Sequence, residues 1–118
     1  MNNLLKDIMN GYDGLIRRIE FDSFDNVSIT ISAMKIPQKK WINVKFKLSG
    51  LKEFVVRQKL NYSNVVLSGG IVYKEINGVK YIDFSPYSEI MENEDDFRMS
   101  DLYFSADNIS FEFLPYCE

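Results

Sequence analysis

The feature of this sequence that most restricts its possible catalytic chemistry is the absence of histidine. Nucleophiles activated by an imidazole base and histidine-ligated zinc or iron are therefore excluded, whereas catalysis by lysine or carboxylate groups remains open. The carboxylate pair that suits acid–base catalysis is Asp83, at a predicted strand end, and Asp101, which follows a polar loop. Because nothing in the sequence fixes their separation, turn or capping roles are favoured for both, and we expect a non-enzymatic protein.

A second group of carboxylates is crowded into residues 89–97, where five acidic residues are interleaved with apolar ones. An acidic cluster without positive neighbours repels itself, and apolar side chains within it offer a desolvated anchor inside a charged rim. This pattern favours a docking surface for a basic protein partner. The predicted contact residues are Tyr87, Glu89, Glu92, Glu94, Asp95, Asp96, Phe97 and Asp101, with Tyr87 and Phe97 as aromatic anchors. Metal binding is less favoured, because the run lacks the alternating oxygen ligands and central glycine of a calcium loop, and we expect no cofactor.

Positive charge is concentrated elsewhere, in residues 35–59, which contain eight basic residues and one acidic residue. Residues 83–118 contain ten acidic residues and one basic residue. Charges of this kind often solvate outer strands, and opposite stretches attract each other across a sheet. The alternative is a small nucleic-acid-binding β-barrel, with Trp41 as an aromatic platform beside Lys45, Lys47 and Arg57. The net charge of −3 disfavours that alternative, because nucleic-acid-binding proteins are usually basic.

The elements that position these groups fit one domain spanning residues 1–118, with 46% apolar residues. Residues 2–10 carry apolar side chains at helical spacing, with Asn2 or Asn3 available as a cap and Gly11 placed to end the helix. The remainder is rich in β-branched and aromatic residues, which favour strands. The single cysteine, Cys117, allows no internal disulfide, and a reactive-thiol role for it is disfavoured.

Alternating apolar and polar residues predict strands along the rest of the chain, joined by short turns. The predicted strands are residues 14–21, 27–33, 41–48, 51–58, 65–75, 80–84, 102–106 and 109–114. Turns are predicted at Asp25-Asn26, Ser49-Gly50, Asn77-Gly78 and Asp107-Asn108. Gly69-Gly70 indicates a bulge or bend rather than a phosphate loop, because it precedes a strand and not a helix.

Strands that follow one another through tight turns predict a mainly β (α+β) fold. We expect an antiparallel meander of about eight strands, forming a barrel or sandwich, with the short N-terminal helix over an open edge or end. A parallel α/β fold would need crossover helices, and the gaps between the predicted strands are too short for them. An edge strand such as residues 109–114 is a candidate for pairing with another chain.

Two runs in the last third of the chain resemble small bacterial proteins encoded beside polymorphic toxins. They are Gly78-Val79-Lys80-Tyr81-Ile82-Asp83-Phe84-Ser85-Pro86-Tyr87 and Met99-Ser100-Asp101-Leu102-Tyr103-Phe104-Ser105-Ala106-Asp107-Asn108-Ile109. The resemblance is to immunity proteins of contact-dependent growth inhibition systems. It implies an inhibitor that neutralises a toxin domain, often a basic nuclease, by occluding its active site. The chain shows no leader pattern or membrane-spanning apolar run, so we expect a cytoplasmic protein without membrane contacts.

Overall fold

The computed structural model describes residues 1–58 and 65–118, which form six strands and two short α-helices. In chain order the elements are α1 (Asn2–Asp7), β1 (Leu15–Ser23), β2 (Asn26–Lys35), β3 (Lys40–Val56), β4 (Val72–Ile76), β5 (Val79–Asp83), α2 (Glu94–Arg98) and β6 (Leu102–Leu114). A 3-10 turn, Met9–Gly11, continues α1. No helix in the described ranges is long and apolar enough to cross a membrane.

The strands form one open antiparallel sheet in the order β1-β2-β3-β6-β5-β4. The prediction of a mainly β, antiparallel fold is confirmed. The prediction of about eight strands is wrong, and so is that of a barrel or sandwich, because the described residues form six strands in one open sheet. The order also departs from a simple meander. The last strand inserts between β3 and β5. Its pairing with β3 is long-range, so it cannot be predicted from the turn residues between neighbouring strands.

Two predicted turns are absent because each of these segments lies inside a long strand. Residues 41–48 and 51–58 belong mostly to one strand, β3, and the segment Ser49-Gly50 is a kink inside it. Opposite this kink lies Asp107-Asn108, which is likewise inside β6 and not at a hairpin. Gly50 has a φ of +66°, and a Cβ there would lie 2.7 Å from the Asp107 carboxylate. The two irregularities therefore match each other, and the pairing of β3 with β6 resumes on both sides of them.

The other two predicted turns do occur, each between two paired strands. Asn77 and Gly78 take positive φ angles of 51° and 80° between β4 and β5, as an Asn-Gly hairpin turn requires. A hairpin joins β1 to β2 as predicted, but its turn is at Phe24-Asp25, one residue earlier than expected, because Asn26 already belongs to β2. The predicted strand over residues 65–75 is wrong in its first half, since β4 begins at Val72 and Val66 forms an isolated bridge to Leu15.

The short helix at the start of the chain packs against the sheet, but it is not capped as predicted. Its N-cap residue is Met1, and no side chain of Asn2 or Asn3 caps it. Leu4, Leu5 and Ile8 instead pack into the main core on what we call the inner face of the sheet. Apolar contact therefore holds α1 in place.

Neighbouring residues of β6 point to opposite faces, and both faces are covered where β5 and β6 pair. Phe104 lies in the main core on the inner face, which also contains buried residues of β2 and β3. Tyr103 lies on the opposite, outer face in a smaller cluster with Tyr81, Met91 and Phe97. The segment between β5 and β6 therefore folds back onto the outer face and builds a second core there.

Candidate protein-binding surface on the acidic segment

Residues 87–101, here called the acidic segment, are organised around the short helix α2. Asn93 and Asp96 form a reciprocal capping box at its start. The Asp96 backbone N–H donates to Asn93 Oδ1 at 3.0 Å, and the Asn93 N–H donates to Asp96 Oδ2 at 3.1 Å. Asp96 Oδ2 also accepts from the Glu92 N–H at 2.7 Å. These backbone donors lower the pKa of Asp96, so its carboxylate is committed to holding the segment rather than to a partner.

The beginning of the acidic segment is tied to the same carboxylate. The Tyr87 hydroxyl donates to Asp96 Oδ1 at 3.1 Å, which raises the pKa of Tyr87. The ring of Tyr87 remains about half exposed. Tyr87 therefore keeps its predicted availability as an aromatic contact residue, with its hydroxyl already oriented.

Phe97, the second predicted anchor, is fully buried and offers no surface to a partner. Its ring packs 5.0 Å from that of Tyr81 and 6.3 Å from that of Tyr103, measured between centroids. A helical turn that starts at Asn93 directs Phe97 into the sheet. The exposed apolar residues of the segment are instead Ile90 and Met99, at 68% and 65% of their full exposure. The sequence carried a signal for this in Asn93-Glu94-Asp95-Asp96, the pattern of a capping box.

Arg98 connects the acidic segment to β3, on the side of the segment that lies against the sheet. Its guanidinium lies 2.9 Å from Glu53, 2.9 Å from Asp95 and 3.8 Å from Glu94. Glu53 also accepts a hydrogen bond from the Tyr103 hydroxyl. The hydrogen bond from Arg98, followed by that from Tyr103, lowers the pKa of Glu53. Glu94 and Asp95 are therefore partly neutralised from within the segment.

The outer side of the acidic segment keeps its negative charge. Among the residues that the structure describes, neither Glu89 nor Glu92 forms an ion pair, and both are exposed. The Asp95 side chain is largely exposed even though it contacts Arg98. These exposed carboxylates, with the exposed Ile90 and Tyr87 of the same segment, make up what we call the acidic surface.

The basic stretch does not neutralise the acidic surface. Lys47 pairs with Glu112 and Lys52 with Asp107, each at 3.3 Å, across the junction of β3 and β6. Arg57 pairs with Asp101 at 3.1 Å, at the very end of the acidic segment. Of the eight basic residues in this stretch, Lys59 lies outside the described residues. Opposite charges do meet across the sheet, but the carboxylates that they meet in these pairs lie outside residues 89–96.

Asp83 and Asp101 are close in space, as a carboxylate pair for catalysis requires, but they are not arranged to act on a substrate. Asp83 is fully buried, and its Oδ1 accepts a hydrogen bond from the Ser85 N–H at 2.8 Å. Burial is the main cause that raises the pKa of Asp83 to about 6, and the nearby Asp101 adds to it. Asp101 is engaged by Arg57. The closed position of Asp83 fits a structural role.

The residues of the nucleic-acid alternative are brought together only in part. Trp41, Lys45 and Lys47 share the outer face of β3, and both lysines line an open groove of about 600 Å³. Arg57 follows the other end of this 17-residue strand. The ring of Trp41 already contacts Tyr116, at 6.4 Å between centroids.

A polar network on the outer face was missed from the sequence. The Arg17 side chain donates to Ser32 Oγ at 2.8 Å, Ser32 donates to Asn43 Oδ1 at 2.6 Å, and Asn43 donates to the Cys117 carbonyl at 2.9 Å. Ser32 and Asn43 are buried as a result. The apolar and hydroxyl alternation in β2 predicted one buried face, and here both faces are covered.

No protein-family model, curated protein or solved structure matches the chain.

Proposed function

We propose that this protein is a non-catalytic binding protein that recognises a basic protein partner through the acidic surface. The observation that carries the proposal is the charge arrangement around α2. The carboxylates of Glu89 and Glu92 face outward without an ion pair in the described part of the chain, while Lys47 and Lys52 are engaged elsewhere. An acidic patch left in this state attracts a basic partner and speeds its association.

The local structure supports recognition as well as attraction. The capping box of Asn93 and Asp96, and the burial of Phe97, fix the shape of the segment before any partner arrives. A surface that is already ordered loses less conformational entropy on binding. Ile90 supplies an exposed apolar side chain in the same segment, and apolar residues within a charged rim are the usual anatomy of a protein interface.

The particular role that we propose is that of an immunity protein, which binds a toxin domain and blocks it. The support for this role is the resemblance of residues 78–87 and 99–109 to immunity proteins of contact-dependent growth inhibition systems. The second run and the end of the first lie within the acidic segment or next to it. A basic nuclease domain would be a suitable partner, since its substrate-binding surface is positively charged.

A charge-reversal experiment tests the proposal. The test partner is the toxin domain that this proposal predicts to be encoded beside the gene of this protein, and its affinity is measured by calorimetry. Replacing Glu89 and Glu92 with Lys is expected to weaken binding at least tenfold, because the new positive charges repel a basic partner. The fold is expected to be unaffected, because neither carboxylate forms an ion pair in the described part of the chain. The control replaces Glu20 and Asp22 on β1 with Lys, the same change in charge at a distant edge. Equal affinities for the two double variants would reject the acidic surface as the binding site.

Nucleic-acid binding on the outer face is a second candidate, favoured by one observation. Lys45 and Lys47 line the same groove as Ser28, Ser110 and Asn108, so cations and neutral hydrogen-bonding groups lie side by side. Trp41 reports on this face by its fluorescence. A titration with a single-stranded oligonucleotide at low salt is expected to quench Trp41 if this candidate is correct. An unchanged spectrum and anisotropy would remove it.

A further inference from the structure

The last strand has one side that is only half covered. On one side, β3 pairs with β6 as far as Leu114. On the other side, β5 pairs with β6 only from Asp83↔Tyr103 to Lys80↔Ala106. Within residues 1–58 and 65–118, no strand pairs with the second side of residues 108–114. We call this side the free edge of β6.

The free edge has few of the features by which proteins usually protect such an edge, and Glu112 is its single charged residue. Residues 108–114 contain no proline, glycine or lysine, and their register with β3 is unbroken from Ser49↔Asn108 to Asn43↔Leu114. Phe111 and Phe113 lie on the inner face beside the free edge, with 40% and 44% of their surfaces exposed. Their rings contact each other at 5.7 Å. A regular edge with exposed aromatic residues is prepared to accept another strand.

The charges along this edge indicate what kind of strand it accepts. Glu112 is paired with Lys47 and Asp107 with Lys52, each at 3.3 Å. The charges along the free edge of β6 are therefore balanced by neighbouring lysines, unlike those of the acidic surface around α2. A strongly basic partner gains little here, whereas two identical edges can meet without repulsion between like charges.

We propose that the free edge of β6 pairs with the same edge of a second copy of this chain, antiparallel and centred on Phe111. In this register Phe111 faces Phe111 of the second copy, Ile109 faces Phe113, and Ser110 faces Glu112. Apolar side chains thus meet on the inner face, and no acidic side chain faces another. The arrangement is self-complementary about a two-fold axis and joins the two sheets into one. It leaves the acidic surface of each copy free.

Two charged variants at one position test both the association and its register. Phe111→Lys and Phe111→Glu each place like charges opposite each other in the proposed dimer, so each variant alone is expected to sediment as a monomer. An equimolar mixture is expected to form dimers, because Lys then faces Glu. Phe24→Lys is the control, since Phe24 is 92% exposed at the turn between β1 and β2. It is expected to dimerise like the unmodified protein.

The unmodified protein provides a readout that needs no variant. Amide hydrogen exchange in residues 108–114 is expected to slow as the protein concentration rises through the dissociation constant. Three results would overturn the proposal: a monomer at every concentration with no change in exchange, Phe111 variants that dimerise like Phe24→Lys, or a mixture of folded Phe111 variants that remains monomeric.

Discussion

The Asp83 carboxylate and the Ser100 hydroxyl face each other in the interior of the protein, where β5 ends and β6 is about to begin. Both residues are buried, and neither Asp83 Oδ2 nor Ser100 Oγ has a well-formed hydrogen bond within the described residues. Burial raises the pKa of Asp83 to about 6, while the nearby Ser100 hydroxyl acts in the opposite direction and lowers it. A charged carboxylate in this position destabilises the fold at neutral pH.

Asp83 therefore gives the stability an unusual dependence on pH. Its pKa in the folded protein is about 6, above the ordinary value of 3.8 that applies after unfolding. Between those values the folded state retains a proton that the unfolded state releases, so this contribution to stability falls as the pH rises from 4 to 6. Above pH 6 the full penalty remains, about 3 kcal/mol for a shift of roughly two pKa units.

Asp83→Asn removes this penalty, because the amide is never charged. The variant is expected to raise the free energy of unfolding at pH 7 by about 2–3 kcal/mol and to change it much less at pH 4.5. Urea denaturation at the two pH values measures the difference. The same effect at both pH values would show that ionisation of Asp83 is not the cause.

The capping box makes a second prediction. Asn93→Ala removes the acceptor for the Asp96 N–H and is expected to lower the free energy of unfolding by about 1 kcal/mol. Asn2→Ala is the control, because no side chain caps α1, and its effect is expected to stay within about 0.5 kcal/mol. Denaturation curves for the two variants decide the point. Equal effects would mean that the reciprocal bonds of α2 contribute nothing.

The kink in β3 makes a third prediction, for which the hairpin turn provides the control. Gly50→Ala places a methyl group at a positive φ angle and 2.7 Å from the Asp107 carboxylate, so a loss of about 2–3 kcal/mol in unfolding free energy is expected. Gly78→Ala has a similar φ angle of +80° but no atom within 4 Å of the new methyl group. Its expected loss is about 1 kcal/mol. If Gly78→Ala is the more damaging variant, steric contact with Asp107 is not what requires glycine at position 50.

A fourth prediction separates the buried residues of the acidic segment from its exposed ones. Phe97→Ala leaves a cavity in the smaller core and is expected to lower stability by about 3–5 kcal/mol. Ile90→Ala is expected to change stability by less than about 0.5 kcal/mol and to weaken partner binding, because Ile90 is an exposed apolar residue of the acidic surface. Thermal unfolding and calorimetry are measured on both variants. A large loss of stability in Ile90→Ala would contradict this assignment.

Local signals in the sequence predicted the local parts of the fold. Asn77-Gly78 fixes its own backbone geometry, so the hairpin of β4 and β5 was predictable from those two residues. Asp107-Asn108 has the same kind of turn chemistry, yet it lies inside β6. Here pairing with β3 along the whole of β6 outweighs the local preference, and a single sequence does not reveal that partner.

The candidate site was predictable in its charge but not in its shape. The crowding of five carboxylates into residues 89–97 predicted an acidic surface, and three of the five, Glu89, Glu92 and Asp95, are exposed. The direction in which Phe97 points depends on α2, which at five residues is too short for helical periodicity to be visible. The capping pattern of Asn93 and Asp96 is visible in the sequence, whereas the bridge from Arg98 to Glu53 depends on a contact that forms only on folding.

Mapping the interface by nuclear magnetic resonance tests the central claim most directly. The labelled protein is titrated with the proposed toxin-domain partner while backbone amide signals are followed. We predict that the largest shifts occur at residues 89–95 and that they shrink at high salt, as expected for an exposed acidic surface. A partner that binds while these signals stay unchanged, with the shifts centred instead on Lys45 and Lys47, would contradict the claim.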